Sequence, residues 1–202
     1  MSNYGNSFQR TTPVVLNLII LNALVFLVQM LFDGPDGKIT NLLALFPIQS
    51  GLFEPYQLVT HMFAHGGFAH ILFNMFALWS FGSLLEKVWG PKKFLIFYFV
   101  CGLVAAVAHL LFTTDAAVGA SGAIMGLLGA FGYLFPNTQL IIFPIPFPVK
   151  AKWAITGIAA IDIFGGVYPT GSNIAHFAHL GGLVAGLILV IIWNKSNKKT
   201  FY

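Results

Sequence analysis

The sequence predicts an all-α membrane protein with six transmembrane helices, and its composition and length support that prediction. Of the 202 residues, 57% are hydrophobic and only 8% are charged. An average soluble domain has about 25% charged residues, so this chain has too few charges to cover a water-facing surface. The composition therefore excludes a soluble globule, a disordered chain and a nucleic-acid-binding protein. In a bilayer, the same length fits about six spans of ~20 residues.

Uncharged stretches of the chain locate the predicted spans. We expect them at residues 14–32, 69–87, 94–112, 121–135, 153–168 and 174–193. The first span has no small-residue cleavage site, so it is interpreted as a retained anchor rather than a signal peptide. The long external loop between the first two spans, residues 33–68, is expected to have structure of its own. Because no repeat or second domain is visible, residues 1–202 are predicted to form a single membrane domain.

The lysine and arginine residues predict the orientation of the chain. Six spans put both termini on one side of the membrane, and nine of the ten cations fall on that side: Arg10, Lys87, Lys92, Lys93, Lys150, Lys152, Lys195, Lys198 and Lys199. Only Lys38 falls on the other side. Since cytoplasmic loops are rich in Lys and Arg, we expect cytoplasmic termini, in a bacterial inner (plasma) membrane. The prolines within residues 143–148 exclude a helix there and predict a stiff cytoplasmic connector.

Polar residues in the spans are predicted to gather near the external face. Spans two, four and six all begin on that side, by the alternating topology. His70 and Asn74 are four residues apart and share one face of the second helix. Ser121 begins the fourth span, and His179 lies near the start of the sixth. A hydroxyl, an imidazole and nearby hydrogen-bond donors are the components of a serine hydrolase.

Glycines on the fourth and sixth spans fit this arrangement. Gly122 and Gly126 form one pair with a spacing of four residues, and Gly182 and Gly186 form another. Such pairs let helix backbones approach closely. A close approach is what the serine hydroxyl and the histidine need in order to reach hydrogen-bond distance, about 2.6–3.2 Å.

Taken together, these residues resemble the rhomboid family of intramembrane serine proteases. The resemblance rests on three motifs: Gly119-Ala120-Ser121-Gly122, His70-x-x-x-Asn74 with His61 and His65 before it, and Ala178-His179-x-x-Gly182-x-x-x-Gly186. It covers about residues 54–193, and the predicted six-helix arrangement is that of a rhomboid-like bundle.

The resemblance implies a serine endopeptidase that cleaves transmembrane segments of membrane proteins near their external end. It implies a catalytic dyad, with Ser121 as the nucleophile and His179 as the base. The Ser121 backbone N–H and the side chains of His70 and Asn74 would form the oxyanion hole. Supporting roles fall to His61, His65, Gly119, Gly122, Gly182 and Gly186. Neither a cofactor nor a metal is expected.

The resemblance also predicts the partners and the access route. We expect single-span membrane proteins as substrates and the lipid bilayer as the environment, with no nucleic acid. The active site should open to the external side. By resemblance, substrates should enter between spans two and five, with residues 168–173 as a cap made mobile by Gly165, Gly166 and Gly171.

Three positions depart from the family pattern. Tyr56-Gln57 stands where the family often has Trp-Arg, and Glu86-Lys87-Val88 lacks the arginine of the family's Glu-x-Arg. Met125 stands where an aromatic residue often packs on the catalytic imidazole, although a thioether can also contact an aromatic ring.

Several residues have an alternative interpretation. Ser121 by itself would be a helix-packing residue, and His176 is a rival base. The His61-x-x-x-His65 spacing could bind a metal, but more ligands at that depth would be required. Asp162 is an acid inside the fifth span, and such a residue is a functional candidate by default. It could orient an imidazole, but a dyad has no third acid, which favours a structural hydrogen bond.

Two other functions remain as alternatives. One is a catalytically inactive rhomboid-like factor that binds membrane proteins, and the presence of both Ser121 and His179 argues against it. The other is a small transporter with a histidine-lined path. Transporters of that kind often show inverted repeats, and this sequence shows none.

Overall fold

A computed structural model describes residues 12–141, 146–168 and 174–196 of the chain. Half of the predicted proline-rich connector (residues 143–145) and most of the predicted cap, including Gly171, lie outside the described residues. The helices are α1 (Pro13–Phe32), α2 (Lys38–Leu43), α3 (Gln57–Thr60), α4 (Phe68–Ala77), α5 (Ser83–Trp89), α6 (Pro91–Phe112), α7 (Ser121–Leu134), α8 (Ala151–Val167) and α9 (His176–Ser196). A π turn at Leu78–Gly82 joins α4 to α5, so that Phe68–Trp89 forms one helix of 22 residues.

Long apolar helices dominate the described part of the chain. Four helices there are long and apolar enough to cross a membrane: Pro13–Phe32, Phe68–Trp89, Pro91–Phe112 and His176–Lys195. Ser121–Leu134 is a shorter apolar helix. These helices confirm the predicted all-α membrane fold, whereas the number of spans stays a prediction. A two-stranded antiparallel ribbon, β1 (Gln139–Leu140) with β2 (Val149–Lys150), precedes α8.

Helices α6, α7 and α9 pack against one another and form the centre of the bundle. The glycines of α7 let both of its neighbours approach closely. A Cβ atom on Gly122 would lie 2.5 Å from the Cβ of Ala105 on α6, and one on Gly126 would lie 2.5 Å from the Sγ of Cys101. Aromatic side chains of α6, including Phe94, Phe97 and Tyr98, are fully buried beside these contacts. The bundle thus holds the start of α7 in a fixed position.

A buried carboxylate fixes the beginning of α1. The Oε1 atom of Glu86 accepts a hydrogen bond from the Val14 backbone N–H (3.0 Å), and Oε2 accepts one from Val15 (2.8 Å). The first N–H groups of a helix have no partner within the helix, and negative charge is favourable there. Thr12, the residue before α1, forms no side-chain cap. Glu86 therefore takes the role of the missing cap and joins α1 to α5.

The long loop between α1 and α4 is folded rather than extended. It contains α2, α3 and a 3-10 turn at Ile48–Ser50. The side chain of Gln29 on α1 donates to the His65 carbonyl oxygen and accepts from the His65 N–H at 3.0 Å. Leu45, which is completely buried, exchanges two 2.9 Å backbone hydrogen bonds with Ala117, just before α7. Through these bonds the loop reaches the segment that precedes Ser121.

Candidate active site

Ser121 and His179 lie within hydrogen-bond distance of each other. Ser121 is the first residue of α7, and His179 lies in the first turn of α9. The His179 Nε2 atom is 2.9 Å from the Ser121 Oγ atom. Because the two residues are 58 positions apart, only the packing of α7 against α9 brings them together.

Glycines make that packing possible. A Cβ atom on Gly182 would overlap the carbonyl group of Gly122, and one on Gly186 would overlap that of Gly126. Any side chain at either α9 position would push α9 away from α7. The two predicted glycine pairs therefore lie directly against each other, and this contact begins at Gly122, the residue after Ser121.

The other ring nitrogen of His179 faces a carboxylate on α8. The His179 Nδ1 atom lies 3.1 Å from Oδ1 of Asp162, and Asp162 is only 3% exposed. A hydrogen bond to this carboxylate puts the proton on Nδ1 and leaves the Nε2 lone pair to accept the Ser121 hydroxyl proton. Ser121, His179 and Asp162 thus form one hydrogen-bonded chain across three helices.

The sequence left open that Asp162 could orient an imidazole, favoured a structural hydrogen bond and did not identify His179 as the partner. The available signal was an acid in a span that is otherwise uncharged. That signal identified a functional candidate but not its partner, since the partner depends on how α8 and α9 are rotated relative to each other.

His176, the rival base, also contacts Asp162. Its Nδ1 atom lies 2.7 Å from the same Oδ1 atom. Its ring packs on α8 at Gly165, where a Cβ atom would overlap the imidazole. Gly165 lies within α8 and allows this close packing, and the mobility of the cap after it stays a prediction. The imidazole that contacts the Ser121 hydroxyl is that of His179.

The predicted oxyanion residues lie beside Gly119, two residues before Ser121. A Cβ atom on Gly119 would lie 2.7 Å from His70 Nε2 and 3.6 Å from Asn74 Nδ2. The φ angle of Gly119 is +121°, which side chains rarely adopt. The residue at position 119 is glycine for two reasons: the backbone turns sharply here, and it passes close to the side chains of His70 and Asn74.

Both of these side chains have donors suited to an oxyanion. The Gly66 N–H donates to His70 Nδ1 at 3.3 Å, which leaves the proton of a neutral imidazole on Nε2. The Nδ2 atom of Asn74 is buried and has no hydrogen-bond partner among the described residues. Buried donors are nearly always paired, so an unpaired amide beside Gly119 points to a ligand acceptor.

His61 and His65 support the loop that carries Gly119. The His61 carbonyl oxygen accepts a 2.8 Å hydrogen bond from the Gly119 N–H, and His61 Nδ1 lies 2.7 Å from the Gln57 carbonyl oxygen. The His65 ring packs edge-on against His70, with centroids 5.1 Å apart. Burial lowers the pKa of both His61 and His65 to about 4. Both rings are therefore neutral at pH 7.

Comparison with known proteins identifies the family. Residues 52–196 match the sequence model of the Rhomboid domain. The chain belongs to the rhomboid family. This finding confirms the resemblance predicted from the three motifs, and with the long apolar helices it makes the chain an integral membrane protein.

Curated relatives of this rhomboid come from bacteria and from mitochondria. It is 31% identical over 184 residues to Rhomboid protease GluP of Bacillus subtilis, which covers 89% of this chain and 34% of the relative. It is 33% identical over 139 residues to Rhomboid protein 1, mitochondrial, of Saccharomyces cerevisiae, which covers 65% of this chain and 40% of the relative. It is 28% identical over 199 residues to Rhomboid protease GlpG of Pectobacterium atrosepticum, which covers 94% of this chain and 66% of the relative. The chain thus spans between a third and two thirds of the length of these relatives.

One departure from the rhomboid pattern bears on the site. Met125 is buried in a cluster with Phe131, Ile155 and Leu183. The His179 ring is held at Nδ1 by the Asp162 carboxylate. The described contact at this ring nitrogen is therefore a polar one from α8, at 3.1 Å.

Cation-binding side chains form no metal cluster in the part of the chain that the structure describes. No group of three or more His, Cys, Asp or Glu residues there has the arrangement needed to hold a metal ion. His61 and His65 instead make the backbone and ring contacts described above.

Proposed function

We propose that this rhomboid protein is an intramembrane serine endopeptidase that cleaves transmembrane segments of other membrane proteins near their external end. The observation that supports it most is the 2.9 Å hydrogen bond between His179 Nε2 and Ser121 Oγ. A nucleophile within hydrogen-bond reach of its base is the geometric signature of acyl-transfer catalysis.

The reaction uses this pair twice. His179 Nε2 takes the hydroxyl proton as Ser121 Oγ attacks the substrate carbonyl carbon, and it returns that proton to the leaving amine nitrogen. The peptide bond breaks and an ester to Ser121 forms. Water then attacks the ester, again with His179 as the base, and releases the new carboxyl end and the free serine.

Charge that develops on the substrate oxygen is stabilised by three donors: the Ser121 backbone N–H, the His70 Nε2–H and the Asn74 amide. The unpaired, buried Nδ2 atom of Asn74 supports this role. Each such donor contributes about 10²–10³-fold to kcat in serine hydrolases.

The substrate is a membrane helix that must unwind locally, since a helical peptide bond is shielded on all sides. Residues of low helix propensity near the external end of the substrate should favour cleavage. We place the entry route between α4 and α8. Large apolar side chains on both helices are exposed and could contact a substrate helix or lipid: Phe68, Leu72, Phe73, Phe76, Ile161, Phe164 and Val167.

The same proposal includes an orientation. The cations cluster at one end of the helices, with Lys87 near the end of α5, Lys92 near the start of α6 and Lys195 near the end of α9. Ser121 and His179 begin helices that start at the opposite end. By the preference of Lys and Arg for the cytoplasm, the termini are cytoplasmic and the site opens outward, in a bacterial inner membrane.

One reconstitution experiment tests the function. The purified protein and a single-span reporter are placed in liposomes, and cleavage by the wild type is compared with cleavage by Ser121→Ala and His179→Ala. Both variants should lose cleavage, and a fluorophosphonate probe should label Ser121 only when His179 is present.

Ser83→Ala is the matched control for the serine. Its hydroxyl is buried in α5 and has no hydrogen-bond partner in the described part of the chain, so the variant should cleave like the wild type. If the Ser121→Ala variant still cleaves the reporter, the proposal is wrong. Wild-type protein that retains the reporter without cleaving it would instead identify a non-catalytic binding factor.

A further inference from the structure

Asp162 is a buried acid on α8 that faces two histidines of α9. We propose that it is a positioning residue for His179, so that catalysis depends on three residues, Ser121, His179 and Asp162. The inference rests on the proposed protease function and goes beyond the dyad that the family resemblance implies.

The geometry places one carboxylate oxygen at the centre of the site. Oδ1 of Asp162 lies 3.1 Å from His179 Nδ1 and 2.7 Å from His176 Nδ1. The Asp162 side chain is 5% exposed, and that of His179 is 19% exposed. A buried carboxylate needs good hydrogen-bond partners, and here two imidazole N–H groups serve Oδ1, whereas Oδ2 is buried and has no hydrogen-bond partner among the described residues.

The contact has two chemical consequences for His179. It holds the proton on Nδ1, so that the Nε2 lone pair points to the Ser121 hydroxyl. It also places a negative charge beside the imidazolium that forms when His179 takes the serine proton. In well-studied serine proteases a buried Asp acts in this way and does not itself become protonated.

His176 holds the carboxylate through the same Oδ1 atom that contacts His179. Its ring lies on Gly165, which is three residues after Asp162 on α8. Asp162 and Gly165 thus bind His176 one helical turn before His179. The contact joins α8 to the first turn of α9 and limits how far the His179 ring can turn away from Ser121.

The charged groups around this centre are few among the described residues. His176 and His179 are the titratable groups that interact with Asp162, both from α9. His70 on α4 is the other histidine near His179, and as a neutral oxyanion donor it brings no charge. Removal of the Asp162 charge therefore leaves a protonated His179 without its negative partner.

The test compares Asp162→Asn and Asp162→Ala with the wild type in the liposome assay. Asn keeps the shape of Asp, but its amide N–H₂ can donate to His179 Nδ1 and so favour the tautomer with the proton on Nε2. We therefore expect kcat to fall at least 100-fold with little change in KM. Ala offers no competing donor, so its kcat should fall less than that of Asn. In both variants the acidic limb of the pH–rate profile should move to lower pH, and fluorophosphonate labelling of Ser121 should slow in parallel.

The control is Glu86→Gln, which removes a different buried carboxylate at the start of α1. It should lower the thermal unfolding midpoint but leave kcat per folded molecule and the pH–rate profile unchanged. Asp162 variants that lose activity only through unfolding, with a wild-type profile in the folded fraction, would show that Asp162 is structural and would overturn the inference. Wild-type kcat in Asp162→Asn would also overturn it.

The two proposals fail in different ways. If Ser121→Ala still cleaves, the protease function itself is wrong. If Ser121→Ala is inactive and Asp162→Asn is fully active, the function stands, the dyad is sufficient and only the role of Asp162 is wrong.

Discussion

Gly182 on α9 lies directly against the carbonyl group of Gly122 on α7, with no room between them for a Cβ atom. One turn further along, Gly186 meets Gly126 in the same way. Since Gly122 follows Ser121 and Gly182 is three residues from His179, this contact sets the distance between the hydroxyl and the imidazole.

We predict that Gly182→Ala abolishes or strongly reduces cleavage, because the added methyl group forces α9 away from α7. A shift of about 1 Å in catalytic groups can cost 100-fold in rate. The measurement is the rate of reporter cleavage in liposomes, together with the thermal unfolding midpoint in detergent.

The matched control for that variant is Gly157→Ala on α8. A Cβ atom at Gly157 has no neighbour within 4 Å, so alanine should keep full activity and stabilise the helix by roughly 0.5–1 kcal/mol. Equal activity in the Gly182 and Gly157 variants would contradict the role of the glycine contact.

The oxyanion donors should act on turnover rather than on stability. We predict that Asn74→Ala and His70→Ala each lower kcat by about 10²–10³-fold. Asn22→Ala is the comparison, because Asn22 is also fully buried but donates to the Leu18 carbonyl oxygen within α1. It should lower the unfolding free energy and leave kcat of the folded protein unchanged. An Asn74→Ala variant with wild-type kcat would remove Asn74 from the oxyanion hole.

Glu86 should contribute strongly to stability. Glu86→Gln leaves one of the two N–H groups, Val14 or Val15, facing an amide N–H₂ instead of an oxygen. The cost of such an unpaired buried donor is about 1–3 kcal/mol of unfolding free energy. Glu54→Gln, at an exposed position, should change the unfolding free energy in the same detergent by less than about 0.5 kcal/mol.

The pH dependence of stability should reflect His61. Burial lowers its pKa from 6.5 to about 4 in the folded loop, so the unfolded chain binds the proton more readily. The stabilising contribution is therefore complete above pH 6.5 and is lost as the pH falls toward 4. At pH 5 the loss relative to pH 7 is about 2 kcal/mol.

The measurement compares unfolding free energies of the wild type and His61→Gln at pH 7 and pH 5. Glutamine does not titrate, so the variant should lose about 2 kcal/mol less between these pH values. Part of the remaining pH dependence reflects His65, whose pKa burial lowers in the same way. Identical losses in the two proteins would show that His61 is not the titrating group.

Much of the helical structure is already visible in the pattern of charges. The uncharged run that predicts a span at 94–112 coincides with α6 (Pro91–Phe112), and the run at 121–135 coincides with α7 (Ser121–Leu134). An apolar run long enough for a bilayer has few alternatives to a helix, because every backbone group must find its partner within the segment. Whether each helix crosses the bilayer stays a prediction.

The folded loop between α1 and α4 could be predicted less well from the sequence. Its bonds join Gln29 to His65 and the His61 carbonyl to Gly119. These partners are 36 and 58 residues apart, and no local periodicity predicts such pairs. The sequence indicated only that a loop of this length would have structure.

The sequence by itself determined the membrane class and the long apolar helices, and it identified Ser121 and His179 as a candidate pair. It could do so because bilayer thickness limits helix length, and because alternate spans start on the same side. Only the tertiary structure decided that Asp162 faces His179. That contact depends on the rotation and depth of α8 relative to α9. Side-chain packing between helices sets both of these, and neither is encoded in hydrophobicity or in spacing along the chain.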